Sequence, residues 1–441
     1  MSPPESGGGP GPVPPARPAA EKPLRIPDGP RHQPYPFSEL HPTDLLGAFF
    51  LCGLAFLAVA AIAALVDAAA PWNHGRWLAL HLAFFGGVSQ LILGATQFFA
   101  GAFLATDPPS RRLVRTQLGF WNGGTILLAV AVPADLAAPV WIAVAALTVG
   151  LGAWVRGLAS IRRRSLNRNP WATRWYEAAG VFFIAGIVAG TLLATGNVWA
   201  HGYLTGAHMA LNLGGWFGAA IVGTLHTFYP TLTRTRLRFP RLQPPAFLLW
   251  TIGIGALAIG YGFALEPLVQ AGWAGLAASS ALLLANIVAC RMASSTELSL
   301  AARAVGAAQL FLPAALVVLA AGSFTDGSVF SPAGRMRAAA GILLIAGWVG
   351  LTVAGSLIHL LFTLLRARDH RRPRPRKQPV ADPAVVALTV AGISGLAICR
   401  LAGADGVAPV FGLAMLAGYL VLAVRIALLG FGVLREARPS L

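Results

Sequence analysis

Twelve apolar stretches, each near the length of a bilayer crossing, constrain this chain more than any motif in it. A helix needs about 20 apolar residues to span the hydrocarbon core. Residues 45–66, 77–104, 117–133, 138–158, 178–197, 203–231, 245–265, 268–290, 304–322, 337–365, 383–402 and 409–433 meet or approach that length. The third is short and ends at Pro133, and a modest polar stretch from Arg291 to Arg303 separates the eighth from the ninth. Composition agrees, with 56% hydrophobic residues and only 11% charged, where a soluble domain carries about a quarter as charged. The expected fold is all-α: a polytopic membrane helix bundle of about twelve transmembrane helices, partnered by the lipid bilayer.

Charge placement gives a second measure of the count. With the N-terminus inside, loops after even-numbered spans are cytoplasmic and hold the Lys and Arg. Arg111, Arg112 and Arg115 follow span two, and Arg156, Arg162, Arg163, Arg164, Arg168 and Arg174 follow span four. Arg234, Arg236, Arg238 and Arg241 follow span six, Arg291 and Arg303 follow span eight, and a run from Arg366 to Lys377 follows span ten. The opposite loops hold only Arg76, Arg335, Arg337 and Arg400. The net charge of +17 is therefore a topology signal with some affinity for anionic lipid, and no nucleic-acid partner is expected. The chain is expected in the plasma membrane, multi-pass, with both termini cytoplasmic.

Residues 1–36 are rich in Pro, Gly and Ala without apolar periodicity, which predicts a disordered cytoplasmic tail. The twelve-helix domain is expected over residues 37–435. Cys52, Cys290 and Cys399 lie far apart in apolar stretches and form neither a CxxC pair nor a disulfide framework.

The spans repeat. Span six contains Gly215-Trp216-Phe217-Gly218 and then Gly223-Thr224-Leu225; span ten contains Gly347-Trp348-Val349-Gly350 and then Gly355-Ser356-Leu357. Span two has a fainter copy, Gly86-Gly87-Val88-Ser89 and then Gly94-Ala95-Thr96. The interval is four spans each time, so the chain reads as three four-helix units in tandem, about 45–160, 178–290 and 304–433. Small residues at helical spacing on each unit's second helix let backbones approach closely.

Four of the nine histidines lie within apolar spans, where ionisable groups mark function by default. His81 and His208 lie just inside the outer ends of spans two and six, and His226 and His359 lie toward the cytoplasmic ends of spans six and ten. His208 and His226 are five turns apart on one face, about 27 Å along the axis, so they cannot share one metal. Neutral imidazole ligates haem iron and copper. An outer site would draw on His81 and His208, with His74 and His201 nearby at the surface; an inner site would draw on His226 and His359.

Twelve spans in three quartets, with histidines on the second helix of a unit, resemble subunit I of the haem–copper oxidase superfamily. The stretch Gly206-Ala207-His208 through Leu213-Gly214-Gly215-Trp216, followed by Gly223-Thr224-Leu225-His226 and Pro230, is similar to a helix of the C-type oxidases and of the NnrS-like membrane proteins. His81 resembles the low-spin haem ligand on the second helix of that fold. The resemblance implies haem or copper, and redox or nitrogen-oxide metabolism. The family's helix carries two histidines two apart, whereas Ala210 stands second after His208 here. Span ten has Ala340, Gly341 and Ile342 before its Gly-Trp element, and span seven has no histidine. A three-histidine copper site cannot be assembled from these positions by the family's rules, which argues against a proton-pumping oxidase and makes the NnrS-like proteins the nearer comparison.

Two other functions fit less of the sequence. A transporter would need mid-membrane carboxylates for proton coupling, yet Asp67, Asp135, Glu266, Asp326 and Asp405 sit at outer ends and the other carboxylates lie in tails, cytoplasmic loops or cytoplasmic ends. Arg425 is the one basic residue lodged in a span, and it is expected to snorkel to the cytoplasmic surface. A cofactor-free anchor for a redox or copper protein would explain the missing histidines. No phosphate-cradling GxxxxGK[ST] or HExxH motif occurs, nor a GxGxxG after a strand.

Overall fold

Apolar residues without an amphipathic break produce long helices throughout. The structure is a computed structural model that describes residues 40–166, 171–196, 203–325, 330, 334–368 and 381–436, excepting the side chains of 172, 325, 368 and 436. The predicted tail over 1–36 and His201 lie outside the described residues. Among the described residues there are twelve long helices and no strands. They are α1 (Pro42–Ala69), α2 (Gly75–Leu104), α3 (Arg111–Ala131), α4 (Ala137–Arg164), α5 (Trp171–Ala194), α6 (204–233), α7 (Gln243–Gly262), α8 (Glu266–Ala293), α9 (Leu300–Thr325), α10 (334–368), α11 (Ala381–Ala402) and α12 (Ala408–Glu436).

Ten of the twelve are long and apolar enough to cross a membrane by length and composition. The exceptions are α3, which opens Arg-Arg-Leu-Val-Arg, and α6, which carries His208, Asn212, His226 and a run of threonines. Outward faces are apolar: α12 exposes Val410, Leu413, Leu416, Leu420, Leu428 and Phe431. Such continuous apolar surface requires a nonpolar surround, and the architecture is that of a multi-pass integral membrane protein.

Helices α2, α6 and α10 share an irregularity that the apolar pattern does not announce. Each widens from α to π winding over one stretch: Leu82–Val88, Ala210–Gly218 and Ile342–Gly350. A π turn bonds five residues apart and releases a carbonyl from the regular ladder. Two carbonyls within these segments also accept from neighbouring helices. Trp250 Nε1 of α7 donates to Gly214 O at 3.0 Å, and Tyr419 OH of α12 donates to Ala346 O.

Glycines in the same three helices admit the helix that precedes each one. A Cβ on Gly86, Gly215 or Gly347 would come within 3.0 Å of Phe56, Phe182 or Phe311, on α1, α5 and α9 respectively. Eight residues on, about two turns, Gly94, Gly223 and Gly355 abut Phe49, Trp175 and Val305. The α3–α4 and α7–α8 turns match too. Asp135 and Ala264, 129 residues apart, adopt φ of 54° and 55°, and the next residues are bonded back across each turn by Leu136 N to Ala131 O and Leu265 N to Gly260 O. Trp216 Nε1 donates to Ser89 Oγ at 2.9 Å, tying α6 to α2.

The middles of α2, α6 and α10 enclose a cavity of about 80 Å³ whose walls include Leu91, Phe99, Ile221, Phe228, Val353 and Leu360. Its few hydroxyls are occupied from behind: Thr96 and Thr224 donate to Ile92 O and Ala220 O, both at 2.7 Å. Ligand pockets usually measure about 300–1,000 Å³, so this space has no room for a macrocycle. Arg425 does not simply snorkel: its Nη2 lies 2.9 Å from Asp382 Oδ1, pairing α12 with the first turn of α11. Cys290 and Cys399 are buried and all three cysteines are free.

Candidate functional site

The site is built where α2 and α6 begin. His81 closes the first α-helical turns of α2, directly before its π segment, and His208 does the same on α6, two residues before its own. The common helical position on adjacent helices brings the two rings to a centroid separation of 6.4 Å with planes 20° apart. These residues are 127 apart in sequence, and the structure joins them.

Each imidazole is oriented by a backbone carbonyl. His81 Nδ1 lies 2.8 Å from Trp77 O, one turn earlier, and the Trp77 indole stacks on its ring at 4.1 Å. His208 Nδ1 lies 3.0 Å from Gly186 O on α5. A carbonyl only accepts, so both Nδ1 atoms carry the proton and each Nε2 keeps its lone pair. Asn212 Nδ2 also approaches His208 Nδ1, at the longer distance of 3.2 Å, while donating one of its two protons to His208 O at 2.7 Å. We therefore assign the shorter Gly186 contact as the hydrogen bond. Metal-binding histidines are held in this way, with Nδ1–H on a carbonyl and Nε2 toward the ion.

Helix α5 supplies the seat. A Cβ on Gly190 would lie 2.7 Å from His208 Cε1, and one on Gly186 would lie 2.6 Å from Asn212 Nδ2. The two glycines form a GxxxG groove that receives the His208–Asn212 edge of α6. Sequence reasoning passed over Asn212, Gly186 and Gly190, although the Gly-x-x-x-Gly spacing in span five was visible.

The other sequence candidates fall elsewhere. His74 precedes α2 with its ring 6.2 Å from Trp72. His41 caps α1 by accepting from Thr43 N. His226 is 1% exposed; its Nδ1 donates to Val222 O at 2.8 Å, its ring stacks on Trp175 at 5.7 Å, and its Nε2 has no hydrogen-bond partner. His359 meets Phe228 edge-on at 5.5 Å. The inner histidines thus each pack on a separate aromatic ring of α5 or α6.

What the outer pair fits follows from its donors. Two imidazole nitrogens facing each other across an ion, each about 2.0–2.1 Å from it, put the ring centroids about 6 Å apart. Among the described residues no three His, Cys, Asp or Glu side chains gather to hold a metal. The ring separation would suit an ion that takes two protein nitrogens, such as copper or haem iron. The pair does not fit a tetrahedral zinc site, which takes three or four protein ligands. No model of a known protein family matches the chain, and no protein of curated function matches it significantly.

Proposed function

We propose that the protein is a twelve-span membrane metalloprotein whose three tandem four-helix units bring His81 and His208 together as a copper or haem-iron ligand pair. The observation that carries it is the 6.4 Å ring separation of two histidines from different units, each with Nδ1 on a carbonyl. The three-unit organisation is supported by the recurrence of π segments, glycine contacts and left-handed turns at four-helix intervals. Positive charge after even-numbered helices supports cytoplasmic termini, which puts the pair at the outer face. His226 and His359 belong to the inner half.

Copper or haem iron would supply one-electron chemistry at that face. The chain's own residues would supply the two nitrogens and their orientation through Trp77 O and Gly186 O. This fits a role in redox or nitrogen-oxide metabolism with a redox partner protein approaching from outside. Detergent-purified protein is expected to carry copper or to show a Soret band, and His81→Ala and His208→Ala are each expected to remove it. Folded wild-type protein with neither copper nor a Soret band overturns the proposal.

A further inference from the structure

The cavity between α2, α6 and α10 is walled by matching positions of the three helices. Ala95, Thr224 and Ser356 line it at intervals of 129 and 132 residues, the same intervals that separate Gly86, Gly215 and Gly347. About one turn earlier, Ile92, Ile221 and Val353 keep those intervals, and about one turn later Phe99, Phe228 and Leu360 keep them. Of the lining residues, only Phe50 and Val88 stand outside such triads.

Side-chain size explains the space. The middle triad is small, its largest member a threonine, and it lies between triads built from Ile, Val, Phe and Leu. Ala95, Thr224 and Ser356 are half-buried, exposed to the cavity they line, whereas Phe99, Phe228 and Leu360 one turn on are buried. The open volume therefore lies at the small triad, with two phenyl rings and Leu360 closing one end. Each π segment ends two or three residues before the first triad, Leu91, Ala220 and Thr352.

Water is a poor occupant, because an internal water bonds about three polar groups. Thr96 Oγ1 donates to Ile92 O and accepts from Trp154 Nε1 at 3.0 Å. Thr224 Oγ1 donates to Ala220 O and lies 3.0 Å from Tyr176 OH, and Thr352 Oγ1 accepts from Gln309 Nε2 at 3.0 Å. The fourth hydroxyl of the wall, on Ser356, is a single group, and the remaining lining side chains are hydrocarbon. A dry apolar cavity of about 150 Å³ takes benzene or xenon; at about 80 Å³, this one takes a molecule smaller than benzene. We infer that it binds one small apolar molecule of the dissolved-gas class, such as dioxygen, a class that bilayer hydrocarbon dissolves readily. None of the four intramembrane histidines lines the cavity, so the site stands whether or not His81 and His208 hold an ion.

Xenon, an apolar atom of suitable size, is the probe. Crystals of the full chain are pressurised with xenon at a pressure that loads a control protein crystal, and the anomalous difference map is read. The expected result is one xenon peak among Ala95, Thr224 and Ser356, lost in Ala95→Leu, whose longer side chain occupies the space. If Ala95→Leu does not elute as folded protein, Ser356→Val, a smaller change, is expected to lower the peak several-fold. No peak at the triad in the wild-type crystals overturns the inference, and so does a peak unchanged in the folded variant. Density for a lipid chain or for water at the triad before pressurisation overturns it as well.

Discussion

His208 owes its position to α5 as much as to its own helix. Its ring lies over Gly190, its Nδ1 proton is held by Gly186 O, and Asn212 braces its carbonyl from one turn on. Groups that orient a ligand typically change metal affinity by about 10–100-fold when removed. Asn212→Ala is expected to weaken metal binding within that range without abolishing it, measured by competition with a chelator of known affinity. Gly190→Leu puts a branched side chain where His208 Cε1 lies and is expected to remove the metal as fully as His208→Ala does. The histidines themselves were legible because an ionisable residue in an apolar span stands out. Their seat was not, because a glycine pair in a Gly-rich membrane protein becomes meaningful only once a neighbour occupies it.

At the scale of the helix, the π segments are the feature that sequence conceals. Hydrogen bonds five residues apart leave the apolar content unchanged, so nothing in Leu82–Val88 or Ile342–Gly350 distinguishes them from α-helix. The Gly-Trp elements mark two of the three positions without stating the winding. The Arg425–Asp382 pair was hidden for a different reason: the partners are 43 residues apart, and only the α11–α12 packing brings them to 2.9 Å. Asp382 is 2% exposed and Arg425 35% exposed. Removing one member of a fully buried pair costs about 3–5 kcal/mol; with Arg425 partly exposed, Asp382→Ala is expected to lower stability by roughly 1–3 kcal/mol. The double variant Asp382→Ala with Arg425→Leu is expected to recover much of that loss, because no buried charge is stranded. Thermal unfolding in detergent reads both. Ala264 holds φ of 55° without being glycine, a conformation that costs an L-residue about 1–2 kcal/mol. Ala264→Gly is accordingly expected to leave thermal stability equal or raised, and Ala264→Val to lower it.

Taken as a whole, the bundle places α2, α6 and α10 around one cavity, each followed by its own helical hairpin and preceded by the helix that its glycines admit. The apolar stretches made the helices legible; the direction that charge asymmetry implies and the grouping that the Gly-Trp elements imply belong to the proposed function. Two helices, α3 and α6, fall short on apolar content: α3 carries Arg115, Gln117 and Asn122, and α6 carries His208, Asn212, His226 and several threonines. Single cysteines at Ser165 and Ser294 are expected to react with an impermeant thiol reagent from the cytoplasmic side only, and one at Asn73 from the outer side only, in a background lacking Cys52, Cys290 and Cys399. The most direct measurement for the histidine pair is X-ray absorption at the copper and iron edges of the purified full-length protein. The expected result is one edge at about one metal per chain, with an imidazole shell at about 2.0–2.1 Å that is lost in His81→Ala. Absence of both edges from folded protein, or a shell dominated by sulfur, would contradict it.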